Sequence, residues 1–222
     1  MADFLLVLPV LLFSVVAHEF AHAWTAHREG DDTALRLGRL TLNPRPHIDP
    51  VMSIIVPAVL WWSTKGAFTF GAARPVPINP ANFRHRTRGD LIVSSAGIVM
   101  NLIIAALASA VFVLLGLLGR VPGLGDAAGM LQRMAFFAIA VNTMLACFNL
   151  VPLPPLDGSH LLYHALPRAW QPGFQKAGRF GFLILLLSLW TLPGVWDVLL
   201  WPAATLTSVA RDALKPWALG TL

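Results

Sequence analysis

The chain has 222 residues, 56% hydrophobic and only 12% charged, with a mean hydropathy of +0.67. Soluble domains carry about 25% charged residues, so an ordinary soluble globular protein is excluded and an integral membrane protein is the first reading. The net charge of +5 gathers on no polar domain, which excludes a nucleic-acid surface, and a lone cysteine, Cys147, excludes an internal disulfide.

Residues 3–26 come first in the chain. A membrane span needs roughly 20 mostly apolar residues, and this stretch qualifies if His18, Glu19 and His22 are admitted. It has neither a basic leader nor an A-x-A site, so it reads as a span and not as a cleaved signal. Residues 51–62 are apolar but short and contain Pro57, which predicts a re-entrant segment. Residues 67–79 alternate and end in prolines, predicting one or two short strands that must be paired or covered at membrane depth. Further spans are expected at 91–118, 134–153 and 179–200, the last kinked at Pro193. The tail 203–214 reads as an interfacial amphipathic helix.

Charge separates two topologies. If 51–62 crosses, the 16 Lys and Arg divide evenly between the two sides. If it dips in and returns, residues 27–90 and 154–178 share a side, with Arg179 at its edge, and the count becomes 12 against 4. The positive-inside rule favours the second arrangement. The expected fold is an all-α polytopic membrane protein with a single domain over 1–222. It has about four transmembrane helices, a re-entrant segment and a short membrane-associated β element, with both termini outside.

His18 and His22 lie four residues apart, so both imidazoles leave one helix face. H-E-x-x-H on a helix places two nitrogens on one zinc ion with the glutamate beside it as general base. The same five residues arise by accident in soluble chains. Inside a span, ionisable groups cost several kcal/mol unless paired, so a functional reading is favoured.

A hydrolytic zinc normally takes a third protein ligand. The only other glutamate, Glu29, lies seven residues past His22, about 10 Å along the helix. The longer motif with a third histidine fails, because Thr25 and Arg28 stand where it needs Gly and His. Asp31, Asp32, Asp49, Asp90, Asp126, Asp157, Asp197, Asp212 and the other histidines remain. Asp157, in "FNLVPLPPLDGSHLL", is the best candidate. Prolines end the helix before it, and the favoured topology puts it at the depth of His22. His160 and His164 are its rivals. Asn149 is a candidate oxyanion donor. Asn101 and Asn142 are candidates for substrate contact, against the simpler role of joining membrane helices.

The runs "AHEFAHAW", "LGRLTLNPRPHIDP", "GAARPVPINPANF", "SSAGIVMN" and "NLVPLPPLDG" together resemble the site-2 protease family, in family order over about residues 14–160. The resemblance implies an intramembrane zinc metalloprotease, in a short form without PDZ or CBS domains. It implies one zinc ion held by His18, His22 and Asp157, Glu19 as base, and Asn149 binding substrate or the oxyanion. It makes Arg74, Pro75 and Val76 part of a strand that holds the substrate unwound. Ile98 stands where the family usually has proline. The expected substrate is a transmembrane segment of another protein, cut to release a cytoplasmic factor or clear a remnant. The expected setting is the bilayer of a prokaryotic cytoplasmic membrane, with the site towards the cytoplasm and no nucleic-acid partner. A metal-passing transporter and a catalytically inactive chaperone are the competing readings, and the intact Glu19 speaks against the second.

Overall fold

The computed structural model describes residues 2–66, 69, 71–121 and 123–220. Among the described residues three helices are long and apolar enough to cross a bilayer: α1 (Ala2–Glu29), α4 (Arg86–Leu118) and α5 (Gly125–Asn149). Each satisfies its own backbone, the condition for crossing hydrocarbon. Helix α4 packs against both others. Asp3 at the start of α1 pairs with Arg133 near the start of α5, while Arg84, just before α4, donates its N–H to the Glu29 carbonyl at 2.9 Å. So α1 and α5 run parallel and α4 runs between them in the opposite sense.

Helix α1 ends at Gly30, whose φ of +112° is open to glycine at little cost. The Asp31 N–H bonds back to the Ala26 carbonyl, closing the helix end. A four-residue helix, α2 (Thr33–Arg36), follows. Asp31 is fully buried. Its carboxylate accepts from the Thr33 N–H and hydroxyl, the Asn79 N–H at 2.7 Å and the Asn82 amide at 2.7 Å. Burial alone would push this carboxyl up; the Asn79, Thr33 and Asn82 donors outweigh it and hold the group below the usual aspartate range. A depressed folded-state value adds stability above the unfolded value, about 3.9, and that stability drains away as pH falls through the folded value. Asp31→Asn should therefore lower the neutral plateau of a thermal-stability profile and make its acid side fall less steeply, measured between about pH 2 and 7.

The segment expected to re-enter is a hairpin. A π turn over Val51–Ile55 runs straight into α3 (Val56–Ser63), and Asp49 accepts the N–H groups of Val51 and Met52 at its start. Trp61 and Trp62 meet Phe4, near the start of α1, at centroid distances of 5.9 and 5.7 Å. The chain turns at Lys65 and Gly66, both at positive φ, and comes back. Its returning arm meets Pro57 at Thr69, Met52 at Ala72 and His47 at Arg74. It enters and leaves at the Glu29 end of α1. Lys65, counted above with residues 27–90, instead lies at the tip beside the Phe4 end. The charge count becomes 11 against 5, and the asymmetry survives.

The β element is not found: there is no strand among the described residues. Residues 67, 68 and 70 of the expected strand region lie outside the described residues, and 71–79 form no ladder. The reason is in the bonding. The N–H groups of Ala72, Arg74 and Val76 go to three unrelated acceptors, the Met52 and His47 carbonyls and the Glu19 carboxylate. A single arm pinned this way has no partner strand.

The fourth span over 179–200 also needs correction. That apolar run is broken at Leu192 (φ −129°, ψ 53°) into α8 (Gly181–Thr191) and α9 (Pro193–Leu214). A proline cannot continue a helix begun before it without losing a bond. Eleven residues of α8 reach about 16 Å, half a bilayer core. Helix α9 folds back along α5, with Trp196 stacked on Phe148 (5.6 Å) and Arg211 over the Phe136 ring (5.9 Å). The tail expected at the interface is thus the second half of a 22-residue helix, its Ala203 and Leu214 buried in the bundle. Between α5 and α8, the short helices α6 (Gly158–Ala165) and α7 (Gln171–Gly178) cover the Glu29 end of the bundle.

Candidate metal centre and active-site cleft

His18 and His22 project from one face of α1 toward the start of α6. Their Nε2 atoms are 3.0 Å apart, and each is 3.3 Å from Asp157 Oδ2. The protons on these rings are fixed by their other nitrogens. His22 Nδ1 is 2.7 Å from the Val93 carbonyl, which can only accept, so Nδ1 donates and, in the neutral ring, Nε2 is bare. His18 Nδ1 is 2.7 Å from Asn101 Oδ1. The Asn101 amide nitrogen donates to Asn142 Oδ1 (3.2 Å), the Asn142 nitrogen to Ser14 Oγ (2.8 Å), and that hydroxyl to the Val10 carbonyl (2.8 Å). The chain ends on an obligate acceptor and so has one direction, which leaves His18 Nε2 bare as well.

With both rings neutral, three lone pairs face one point. Asp157 Oδ2 is buried and accepts no hydrogen bond. Mutual repulsion would drive such atoms apart unless a cation joined them. Zinc ligands at about 2.05 Å on tetrahedral corners stand about 3.3 Å from one another, and the separations of 3.0–3.3 Å match that spacing. The donor set fits a zinc site with one corner left for water.

Local sequence explains each ligand's aim. Asp157 stands at the N-cap of α6, where an aspartate normally bonds the first turn. It makes no such bond, and its carboxylate is turned to the histidines. Gly158 lets α6 begin against the end of α5, since a Cβ there would sit 2.2 Å from the Leu150 carbonyl oxygen. Gly97 does the same for α4. A Cβ at that position would lie 2.4 Å from His18 Cε1 and 2.5 Å from His22 Nε2.

Glu19, next to His18, lines a cleft of about 450 Å³ with both histidines, Asp157 and Asn149. Its Oε2 accepts the Val76 N–H at 2.7 Å. Asn149 spends one amide hydrogen on the Leu145 carbonyl and faces the cleft with the rest. Pro75 and Val76 line the cleft; Arg74 does not, its backbone N–H being held by His47 behind the arm. Asn101 and Asn142, expected at the substrate, are fully buried and bonded as described. Neither lines the cleft; Asn101 holds His18, and Asn142 holds Asn101. The rivals His160 and His164 are taken by Asp90, at 3.2 and 2.6 Å. The Asp90 bond raises the His160 imidazole above its ordinary value, although burial opposes the shift. Asp90 and His160 sit between the cleft and a polar pocket that Arg86 and Arg168 also line.

Several site residues escaped the sequence reading. The Val93 carbonyl and the Val76 N–H carry no side-chain signal. Asn101 was visible, but its partner was not. Gly97 had a signal in "SSAGIVMN", a glycine one helical turn before an intramembrane asparagine.

Comparison with known proteins agrees with this geometry. The family model described as "Peptidase family M50" matches residues 120–192, which include Asn149 and Asp157. A Bacillus subtilis protein named "Putative zinc metalloprotease YwhC" is 35% identical over 92% of this chain and 86% of its own length. Proteins named "Putative zinc metalloprotease Rip2" from Mycolicibacterium smegmatis and Mycobacterium tuberculosis are 34% and 35% identical, over 85% and 83% of this chain and 68% and 66% of their own. No solved structure matches at a significant level. A bundle of apolar helices, a zinc-fitting ligand group and a relative matched over 86% of its length lead to one statement: the chain belongs to peptidase family M50, the site-2 protease family of zinc metalloproteases.

Proposed function

We propose that this membrane metalloprotease is an intramembrane endopeptidase, hydrolysing a peptide bond within or near a transmembrane segment of a substrate protein. One observation carries the reading. The bare ligand atoms and the Glu19 carboxylate share a cleft on α1, a helix apolar enough to cross a bilayer. A bound zinc ion supplies a Lewis acid and acidifies a water to a pKa of about 7. Glu19, anchored through Oε2, keeps Oε1 for taking a proton from water and returning it to the leaving amine. Asn149 turns an amide N–H to the scissile carbonyl.

The returning arm supports an extended substrate. Ala72 and Arg74 bond backward to the π turn ahead of α3 and to the loop before it, while Gly71 and Ala73 line the cleft and make no backbone bond among the described residues. Side chains and peptide groups alternate along extended chain, so a two-residue edge is offered to an added strand. Pro75 lacks an N–H and ends that edge beside Glu19. The substrate is thereby unwound next to the base. The positive-rich end of the bundle, with 11 of the 16 Lys and Arg, is the Glu29 end, which supports a site facing the cytoplasm of a prokaryotic cell.

Mass spectrometry of a single-span model substrate incubated with the zinc-loaded protein in detergent tests the reading. A cut inside or beside the apolar segment is expected. Cleavage confined to distant soluble flanks, or none, would remove the intramembrane assignment.

A further inference from the structure

The run Gly38–Asp49 touches no ligand of the metal group. Its work lies behind the returning arm. Arg39 Nη2 donates to the Arg74 carbonyl at 2.7 Å and to the Pro75 carbonyl at 3.2 Å. The Pro75 carbonyl and the Val76 N–H belong to one planar trans peptide, so they point opposite ways. That N–H is the one that holds Glu19 Oε2 at 2.7 Å. A guanidinium, a peptide dipole of about 3.5 D and a carboxylate therefore stand in sequence, the cation at the dipole's negative end and the anion at its positive end.

The alternative is that Arg39 merely staples the 37–49 loop to the arm. Two observations weigh against it. Arg39 makes no ion pair among the described residues, and its Nε is buried without a hydrogen-bond partner. Desolvating one edge of a guanidinium without a direct counter-charge is costly, even with its Nη2 bonds exposed. A neutral donor would staple a loop equally well. The counter-charge is Glu19, one peptide away. His47, fully buried beside them, is within electrostatic reach of both Arg39 and Glu19.

We infer that Arg39 is a positioning residue for Glu19, acting through the Pro75–Val76 peptide. The inference rests on Glu19 being the base. With Arg39 in place, the peptide is fixed at its oxygen and polarised at its N–H, and the carboxylate keeps one orientation. Without it, Glu19 keeps its place in the chain and the ligands keep theirs, but the oxygen meant for water is no longer aimed.

The test uses the full chain, zinc-loaded, in detergent, with a single-span substrate. Arg39→Gln should lower kcat about 10–100-fold, the worth of a charge-assisted hydrogen bond, with KM within about twofold and zinc content unchanged. Arg39→Lys should recover most of kcat, since an ammonium still polarises the carbonyl. Equal losses in both variants, an unchanged kcat, or a rise in KM alone would overturn the inference. A second route leaves every side chain intact. Replacing the Val76 residue by its α-hydroxy acid turns the N–H into an ester oxygen. This should lower kcat as much as Arg39→Gln, and adding Arg39→Gln to it should cost little more; additive losses would overturn the coupling. Glu19→Gln serves as the reference. If it cleaves as the wild type does, the base assignment itself has failed; if it is inactive while Arg39→Gln keeps the wild-type kcat, only the role of Arg39 is lost.

Discussion

Asp157→Ala should empty the protein of zinc at concentrations where the wild type holds one ion per chain. Outer partners of metal ligands are worth about 10–100-fold in affinity, and a ligand is worth more. No neighbour can replace it. His160 and His164, the nearest rivals in sequence, are bound to Asp90 at 3.2 and 2.6 Å. Asp157 also makes no capping bond to α6, so its removal costs that helix little. Metal analysis after dialysis, with thermal stability of the metal-free forms as reference, separates lost ligation from lost folding. Zinc at wild-type stoichiometry in Asp157→Ala would move the third ligand elsewhere.

Gly97→Ala should do comparable damage from outside the ligand set. The added carbon would lie 2.4–2.6 Å from three imidazole atoms of His18 and His22, where carbons prefer about 3.5–4.0 Å. Either α4 backs away from α1 or the rings turn. Both responses break the Nδ1 bonds to Asn101 and Val93, which set tautomer and aim. Zinc affinity is expected to fall by at least about tenfold, and overpacking typically costs about 1–3 kcal/mol of stability. Gly129→Ala is the control, because a Cβ there meets nothing within 4 Å. Isothermal titration with zinc checks both. Equal affinity in the two variants would mean that α4 yields without disturbing the histidines.

The metal group was legible in the sequence because its logic is local. His18 and His22 are one helical turn apart, and a shortage of glutamates narrows the third ligand. The apolar runs of α1, α4 and α5 were legible for the same reason. Tertiary bonding was not. Asn101 and Asn142 looked like substrate contacts, and only the packing of three helices reveals a directed chain from His18 to the Val10 carbonyl. The arm over 71–79 reads as a strand because its residues alternate. What it lacks is a partner, and pairing is not written in one segment. The run 179–200 has the hydropathy of a span, but one proline redirects it, and a less apolar helix packs along α5 in its place. Arg39 sits in a polar loop 20 residues from Glu19, and nothing in the spacing joins them.

The central claim is that Glu19 is the base beside a zinc held by His18, His22 and Asp157. Glu19→Gln keeps the shape, the neighbours and an acceptor for the Val76 N–H, and removes only the capacity to take a proton. Single-turnover cleavage of a single-span substrate, with wild type and Glu19→Gln matched for zinc content, tests it most directly. Equal zinc and a rate lower by at least about a thousandfold are expected in the variant. Equal rates at equal zinc would contradict it.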